Sequence, residues 1–531
     1  SYDQVSDQSA KIRMDAHIRN ESGKSFNGKL VYELWDREGK QIFTQEKSLS
    51  VGKGKARQFS VQTQVENPHL WSPDSPYLYS LRVYVKDKNG HVTDGYSRRI
   101  GIRSIEFKGK DGFWLNGKPY PEPLIGANRH QDFAIIGNAL SNSLHWRDAK
   151  KLRDAGLRVI RNAHYPQDPA FMDACDELGL FVIVNTPGWQ FWNEAPIFAE
   201  RVYSDIRNMV RRDRNHPSVW MWEPILNETW YPAEFAKNVV NILKEEYPYP
   251  YCYAGCDVTA LGHEYFPVQF THPLNGMGGA FNTDKLDPNI SYFTREWGDN
   301  VDDWNSHNSP SRVNRGWGEV PMLVQAQGYA KTDYPYTCYD VLYRNPRQHV
   351  GGCLWHSFDH QRGYHPDPFY GGIMDAFRQP KLSYYMFCSQ RPAQKNPELI
   401  ADNGPMVYIA NAMTPFSPKD VTVYSNCEEV RLTFCKDGQT QTYHKPQTKE
   451  GMPSPITFKD VFDVMHDKQL ARDRKHADSY LLAEGLIDGK VVATHKVMPS
   501  RRPSKLLLWA DDEQVQATAD GSDIVTVIAA V

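Results

Sequence analysis

The 531-residue sequence lacks a charge imbalance, a long apolar run and any patterned set of cysteines. Lys and Arg number 61 against 64 Asp and Glu, a net charge of −3, so nothing points to a polyanionic partner such as nucleic acid. No apolar stretch approaches the roughly 18–20 residues of a membrane span. The eight cysteines include no CxxC pair, fit no zinc spacing and are too sparse for a disulfide scaffold. Buried free thiols are expected. Internal repeats and low-complexity tracts are absent as well. The opening residues, SYDQVSDQSAKIRMDAHIRN, have no basic start followed by an apolar stretch, so they read as a strand and not as a signal peptide.

What is present is ordinary globular composition, with 40% hydrophobic and 24% charged residues. At roughly 100–200 residues per domain, the length predicts about three domains. Aromatic residues reach 12%, which suits either a surface that stacks on sugar rings or large β-rich cores. Residues 1–105 alternate with period two in KIRMDAHIRN, GKLVYELWD, RQFSVQTQV and YLYSLRVYV, with turn signals between them. That pattern predicts a small β-sandwich.

Over residues 106–392 the texture changes. PLIGANRH, VIRNAHYP, FVIVNTPG, VWMWEPILNE, YCYAG, ALGHEYFP, ISYFTREWG and GGCLWHSF are eight strand candidates, most followed by a helical stretch. Such alternation predicts a (β/α)8 TIM barrel, whose active site lies at the C-terminal strand ends. A doubly wound sheet would want a glycine-rich phosphate turn after its first strand, and Gly126-Ala127-Asn128-Arg129 is not one. Residues 393–508 return to alternation and predict a second sandwich. Residues 509–531 read as the start of a further, truncated β-domain.

Two carboxylates stand at predicted strand ends, Glu228 after Asn227 and Glu296 in Arg295-Glu296-Trp297-Gly298. A single such Glu is usually a solvated or salt-bridged surface residue. A pair fits glycoside hydrolysis, in which one acid protonates the leaving oxygen and the other attacks or activates water.

Here the residues carry a resemblance. NPHLWSPDSPYLYSLRV, FWLNGKPY, GANRH, RNAHYPQDPAFMDACDELGLFV, RDRNHPSVWMW, LNE, REWGD, GGCLWHSFD and GGIMDAFRQPKLSYY occur in an order that resembles glycoside hydrolase family 2, over about residues 65–390. The resemblance implies that the sandwiches flanking the barrel, residues 1–105 and 393–508, are immunoglobulin-like, that Glu228 is the general acid/base and that Glu296 is the nucleophile. Retaining chemistry follows, with carboxyls about 5–5.5 Å apart. A less polar setting and a nearby second carboxylate would keep Glu228 protonated, and hydrogen bonds would keep Glu296 ionised. Asn227 is implied to bond the sugar 2-hydroxyl. His130, Arg161 and His164 are implied to line the sugar pocket, Trp355 to be its aromatic floor, and Tyr265 to orient the nucleophile. For each histidine the plain alternative is a hydrogen-bonded core residue.

Departures from the family pattern shape the expected specificity. Gln131 stands where a pocket carboxylate is common, and Leu226 where a glycine is. The extra Glu223-Pro224 is expected to reshape the rim beside the acid. Asn185 to Gln190 offer no Glu or His at the family's magnesium site, so neither metal nor cofactor is expected. Phe369-Tyr370-Gly371 stand where glucuronidases place a lysine for the sugar carboxylate, and the aromatic stretch His360–Tyr370 (with Arg362, Tyr364) is expected to fold over the barrel mouth.

These features imply an exo-acting β-galactosidase that releases terminal β-galactose from oligo- or polysaccharides. β-Glucuronidase and β-mannosidase are the alternatives within the family, and a carbohydrate-binding relic with an inactive barrel is the alternative outside enzymes. The partner is a carbohydrate substrate, with a homo-oligomer left open. A polysaccharide-degrading enzyme suits the periplasm or the exterior. The family's usual N-terminal jelly roll is missing, so the chain reads as a fragment.

Overall fold

The structure, a computed structural model, describes residues 1–273, 286–298, 318–331, 337–361, 368–436, 439–447, 452–453, 455–462, 479–499, 505–512, 515 and 517–530. The chain packs as two compact units. The first holds Ser1–Pro121, His164–Gln269 and Asn289–Ser291; the second holds Glu122–Ala163, Phe270–Pro288 and Tyr292–Val531.

The first unit opens with two antiparallel sheets. One holds Tyr2–Asp3, Ser9–Arg19 and Ala56–Glu66; the other holds Gln41–Val51, Phe26–Trp35, Tyr79–Lys86 and Val92–Ile100. Alternate residues point inward, so Ala10, Ile12 and Met14 of one sheet share a core with Leu30, Tyr32 and Leu34 of the other.

Eight strands form a single sheet of barrel type: β1 (Leu124–Asn128), β2 (Val159–Arg161), β3 (Phe181–Asn185), β4 (Val219–Glu223), β5 (Gly255–Asp257), β6 (Val268–Phe270), β7 (Ser291–Trp297) and β8 (His349–Leu354). Their order is β4-β3-β2-β1-β8-β7-β6-β5. The end strands β4 and β5 meet through an isolated parallel bridge between Trp222 and Ala254, with the Trp222 N–H donating to the Tyr253 carbonyl at 2.9 Å. The sheet therefore comes close to closing as a (β/α)8 barrel. β1, β3, β4 and β8 are buried along their whole lengths, as strands covered on both faces must be.

The expected fifth and sixth strands are corrected. Tyr251–Gly255 contributes only its last residue to β5, and the stretch of ALGHEYFP is not a strand. Gly262, at φ 83, instead starts a 3-10 turn at His263–Tyr265, and β6 begins three residues later.

The helices follow their sequence signals closely. α1 spans Asn142–Asp154, α2 Pro169–Leu178, α3 Pro196–Asp213 and α4 Ala233–Glu246. For α2, Asp168 caps the N-terminus through the Ala170 N–H at 2.8 Å, and Gly179 ends the helix in the left-handed conformation. Gly179 is doubly required, because a β-carbon there would run into the Pro73 carbonyl of the sandwich. The sandwich is tied to α2 elsewhere too, as the Trp71 indole donates to the Asp176 carbonyl at 2.8 Å.

In the second unit the later sandwich pairs Val407–Ala410, Val421–Ser425 and Ile456–Phe458 in one sheet. Gln439–Pro446, Glu429–Lys436, Tyr480–Ile487 and Lys490–Val497 form the other. Leu507–Asp511 and Thr526–Ala530 then form an antiparallel pair. It is moored to α1, where Asp523 accepts from Ser141 at 2.7 Å and Arg147 at 2.8 Å, and Asp511 accepts from Lys151 at 2.8 Å. All eight cysteines are free and seven are buried, as expected.

A buried ion network holds the end of β1. Asp148 of α1 accepts from Arg129 at 2.6 Å and from Arg378 at 2.9 and 3.0 Å, and none of the three side chains is more than 1% exposed. Burial pushes the Asp148 carboxyl up, but the two guanidiniums outweigh it and hold it at about 2. Because that value is depressed, the stabilisation is complete above the ordinary aspartate value of about 3.9 and fades as pH falls toward 2. Asp148→Asn leaves two buried cations facing a neutral amide. It is expected to lower stability by about 3–5 kcal/mol, read as a fall in the urea midpoint at neutral pH. A change below about 1 kcal/mol would show that the network is not what stabilises this region.

Candidate active site

The first carboxylate neighbourhood lies in the second unit. Glu296, next to last in β7, has a side chain only 15% exposed. Its Oε1 accepts from Arg161 at 2.7 Å and from Arg295 at 2.9 Å. Arg161, the last residue of β2, also donates to the Asn128 Oδ1 at 2.9 Å. Asn128, the last residue of β1, in turn donates to the carbonyls of Arg295 at 2.9 Å and Leu354 at 3.2 Å. Four strand ends are thereby stitched around one carboxylate. Burial pushes the Glu296 carboxyl up, but Arg295 and then Arg161 outweigh it and hold it below the ordinary glutamate range. A carboxylate held ionised and restrained on a rigid strand is suited to nucleophilic attack.

Arg161, expected to line the sugar pocket, is wholly buried and engaged with Asn128 and Glu296. Asn128 and Arg295 were missed as members of the site. The signal available was that all three polar residues end predicted barrel strands.

Beside this network, the end of β8 carries an aromatic cluster. Trp355 is 6% exposed and packs with Ala163 and Phe369. The peptide bond from Trp355 to His356 is cis. His130 is half-buried, stacked on His360 at 4.2 Å and edge-on to Trp355 at 5.6 Å. Phe369 is buried against Trp355, while Arg362 and Tyr364 lie outside the described residues. Lys381, fully buried, donates to Asp359 at 2.7 Å and to the Tyr370 carbonyl at 2.8 Å.

The second carboxylate neighbourhood lies in the first unit. Glu228 follows β4 at the tip of an abrupt turn, with φ 46, a left-handed conformation that costs a non-glycine residue about 1–2 kcal/mol. Its Oε2 accepts from the Gln190 amide at 2.6 Å. Gln190, at φ 55, is in the same conformation and donates its backbone N–H to the Asn227 carbonyl at 2.9 Å. The loop after β3 therefore grips the turn that carries Glu228. Asn227 is buried, and His164 is buried with its ring 5.5 Å from that of Trp189.

Three expectations meet differences here. Glu228 is exposed, where a less polar setting was expected. Glu223, expected on the rim, is the last residue of β4 and wholly buried. Tyr265 lies in the 3-10 turn before β6 and not at a strand end, with 41% of its surface exposed. Gln190 was read only as a failed metal ligand. Its contact with Glu228 joins two loops and leaves no trace in local sequence.

Among the described residues one cluster, Asp173, Asp176 and His216, has ligand atoms close enough to share an ion. Both ring nitrogens of His216 are already engaged, Nδ1 with Asp176 at 2.6 Å and Nε2 with Arg98 at 3.0 Å. The cluster ties the sandwich to α2 and has the chemistry of an ion-paired strut.

Comparisons with known proteins agree with this architecture. Residues 1–103 match the family model described as Glycosyl hydrolases family 2, and residues 105–249 match its TIM barrel domain. A beta-galactosidase of Thermoanaerobacter pseudethanolicus is 28% identical, covering 100% of this chain and 67% of its own length. A beta-glucuronidase of Formosa agariphila is 24% identical over 98% of this chain and 50% of its own length. A solved beta-glucuronidase of glycoside hydrolase family 2 superposes with a TM-score of 0.75 at 22% identity, over 99% of this chain and 52% of that one. The chain thus spans between half and two thirds of these relatives. Both family models match in sequence order, so residues 1–103 and 105–249 belong to glycosyl hydrolase family 2, a family of glycosidases, and the solved relatives share the barrel fold.

Proposed function

We propose that the chain is a retaining, exo-acting β-glycosidase that removes terminal β-galactose from oligo- or polysaccharides. The observation that carries this reading is the contrast between the two carboxylates. Glu296 is half-buried between two guanidiniums and held ionised, whereas Glu228 is exposed and bound by a neutral amide. Paired carboxylates in unlike settings suit unlike roles.

In the first step a Glu296 oxygen bonds to the anomeric carbon while the Glu228 proton passes to the glycosidic oxygen, and the bond to the leaving group breaks. In the second step Glu228 takes a proton from water, whose oxygen displaces Glu296 from the sugar. Asn227 is assigned to the 2-hydroxyl, His130 and His164 to the pocket wall, and Trp355 to its floor. Arg161 acts through Glu296 as a positioning residue. Tyr265 keeps its assignment to nucleophile orientation only as a matter for mutagenesis.

The specificity proposed is for a neutral sugar. Lys381, the cation bonded to the Tyr370 carbonyl, is already neutralised by Asp359 and out of reach of a sugar carboxylate. An anion brought against aromatic faces would lose hydration without a compensating partner. The glucuronidase relatives favour the second reading, a uronic acid substrate. A panel of para-nitrophenyl β-glycosides decides between them. The galactoside is expected to have at least a tenfold higher kcat/KM than the glucuronide. The reverse order would overturn the galactosidase reading, and inactivity on the whole panel would favour a binding relic.

A further inference from the structure

Successive residues of a strand ordinarily face opposite sides, yet the side chains of Arg295 and Glu296 meet at 2.9 Å. A β-bulge brings them together. Thr294 pairs with Gly352 and Trp297 with Leu354, so Arg295 and Glu296 together oppose the single residue Cys353 of β8. Such an extra residue re-aims a side chain, and bulges of this kind are common next to active sites. Arg295 and Arg161 then converge on one oxygen, Oε1 of Glu296. Arg161 is wholly buried and also bonds Asn128, whereas the Arg295 side chain keeps 15% of its surface exposed. The path of β7 does not depend on that side chain. Backbone bonds hold the strand on either side of the bulge, from the Thr271 N–H to the Phe293 carbonyl at 3.0 Å and from the Trp355 N–H to the Trp297 carbonyl at 2.7 Å. Asn128 bonds the Arg295 carbonyl, which any substitution keeps.

We propose that Arg295 is a positioning residue that acts through Glu296 to slow formation of the glycosyl-enzyme and to speed its breakdown, so that the first half-reaction limits turnover. The inference rests on Glu296 as the nucleophile. In the first half-reaction a Glu296 lone pair forms the bond to the anomeric carbon. The bond to the leaving oxygen breaks, and that oxygen keeps the pair and takes the Glu228 proton. The carboxylate thereby becomes a neutral ester, and the charge-assisted bonds to it weaken. Two guanidiniums stabilise the ionised starting state more than the ester, so they raise the first barrier. In the second half-reaction water bonds to the anomeric carbon and gives a proton to Glu228. The ester bond to that carbon breaks, and its pair returns to Glu296. Negative charge is regained beside the same two cations, which lowers the second barrier. The intermediate is then consumed faster than it forms.

The test uses the full chain and the para-nitrophenyl β-glycoside on which it is most active. In wild type, stopped-flow release of nitrophenol is expected to show no burst, and azide to leave kcat unchanged. Arg295→Met should release a burst approaching one nitrophenol per active site. Its kcat should fall about tenfold while kcat/KM, which reports the first half-reaction, holds or rises. Azide should restore that kcat by attacking the accumulated intermediate. Arg295→Lys keeps the charge and should stay burst-free; a burst there equal to that of Arg295→Met would overturn the role given to charge. A side chain that only braced the fold would lower kcat and kcat/KM together without a burst, and that result would overturn the proposal. So would a burst in wild type, a measurement that needs no variant. Each of these failures leaves Glu296 as the nucleophile. The reading beneath fails separately if a 2-fluoro glycosyl label, located by peptide mass, attaches to a residue other than Glu296.

Discussion

Glu296→Gln is expected to lose about five orders of magnitude in kcat, since removing a nucleophile from a cooperative catalytic set has an effect of roughly that size. The amide keeps shape and removes charge, so the glycosyl-enzyme bond cannot form. Two further readouts separate chemistry from folding. A mechanism-based glycosyl label should attach to wild type and not to the variant, as read by intact mass. Thermal unfolding should show whether Arg161 and Arg295, left beside a neutral partner, have cost the fold its stability as well. The pH profile is fixed in sign by the same ion pairs. With its carboxyl held low by Arg295 and Arg161, Glu296 stays ionised through the ordinary glutamate range, so the acidic limb of kcat/KM should lie below that range. Arg161→Met removes one of the two supports and should move that limb upward. A glycosyl label on Glu296→Gln at the wild-type rate would remove the nucleophile assignment.

Glu228→Gln should separate substrates by leaving group. On an alkyl or sugar leaving group, which departs only when protonated, kcat/KM is expected to fall about 10³–10⁴-fold, the upper range of acid catalysis. On a dinitrophenyl glycoside the first step needs no proton, and the loss there should be far smaller. Because the variant cannot activate water either, azide should restore turnover by attacking the glycosyl-enzyme directly. Gln190→Ala is expected to show a weaker form of the same pattern, since it removes only the amide that holds the carboxylate. Equal losses across all leaving groups would mean that Glu228 does not handle the proton.

How much of this was legible in the sequence follows from the range of the forces involved. Period-two alternation and helical patterning are local, and the alternating sheets and the helical stretches after most barrel strands could be read directly. The two glutamates were legible as candidates because each lies near the end of a strongly patterned strand, Glu296 within it and Glu228 shortly beyond it. Tyr265 was expected in a strand, but a left-handed Gly262 turns the chain before pairing begins. Glu223 was expected on the rim, and its burial as the last residue of β4 is created by folded neighbours that its own segment does not encode. Gln190 meets Glu228 across 38 residues, and no pattern of either segment encodes that contact.

The left-handed backbone at Glu228 bears on how this chain would respond to engineering. Glycine enters that region with no steric penalty, so replacing Glu228 by glycine would relax the turn and gain up to about 1 kcal/mol. A campaign that ranked variants only by heat resistance would therefore tend to enrich the substitution that removes the proposed acid/base, and would record it as an improvement. The neighbouring position invites the same error, because Gln190 adopts the same conformation one loop away. Any stabilising library for this scaffold should hold both positions fixed and draw its gains from the sandwiches instead.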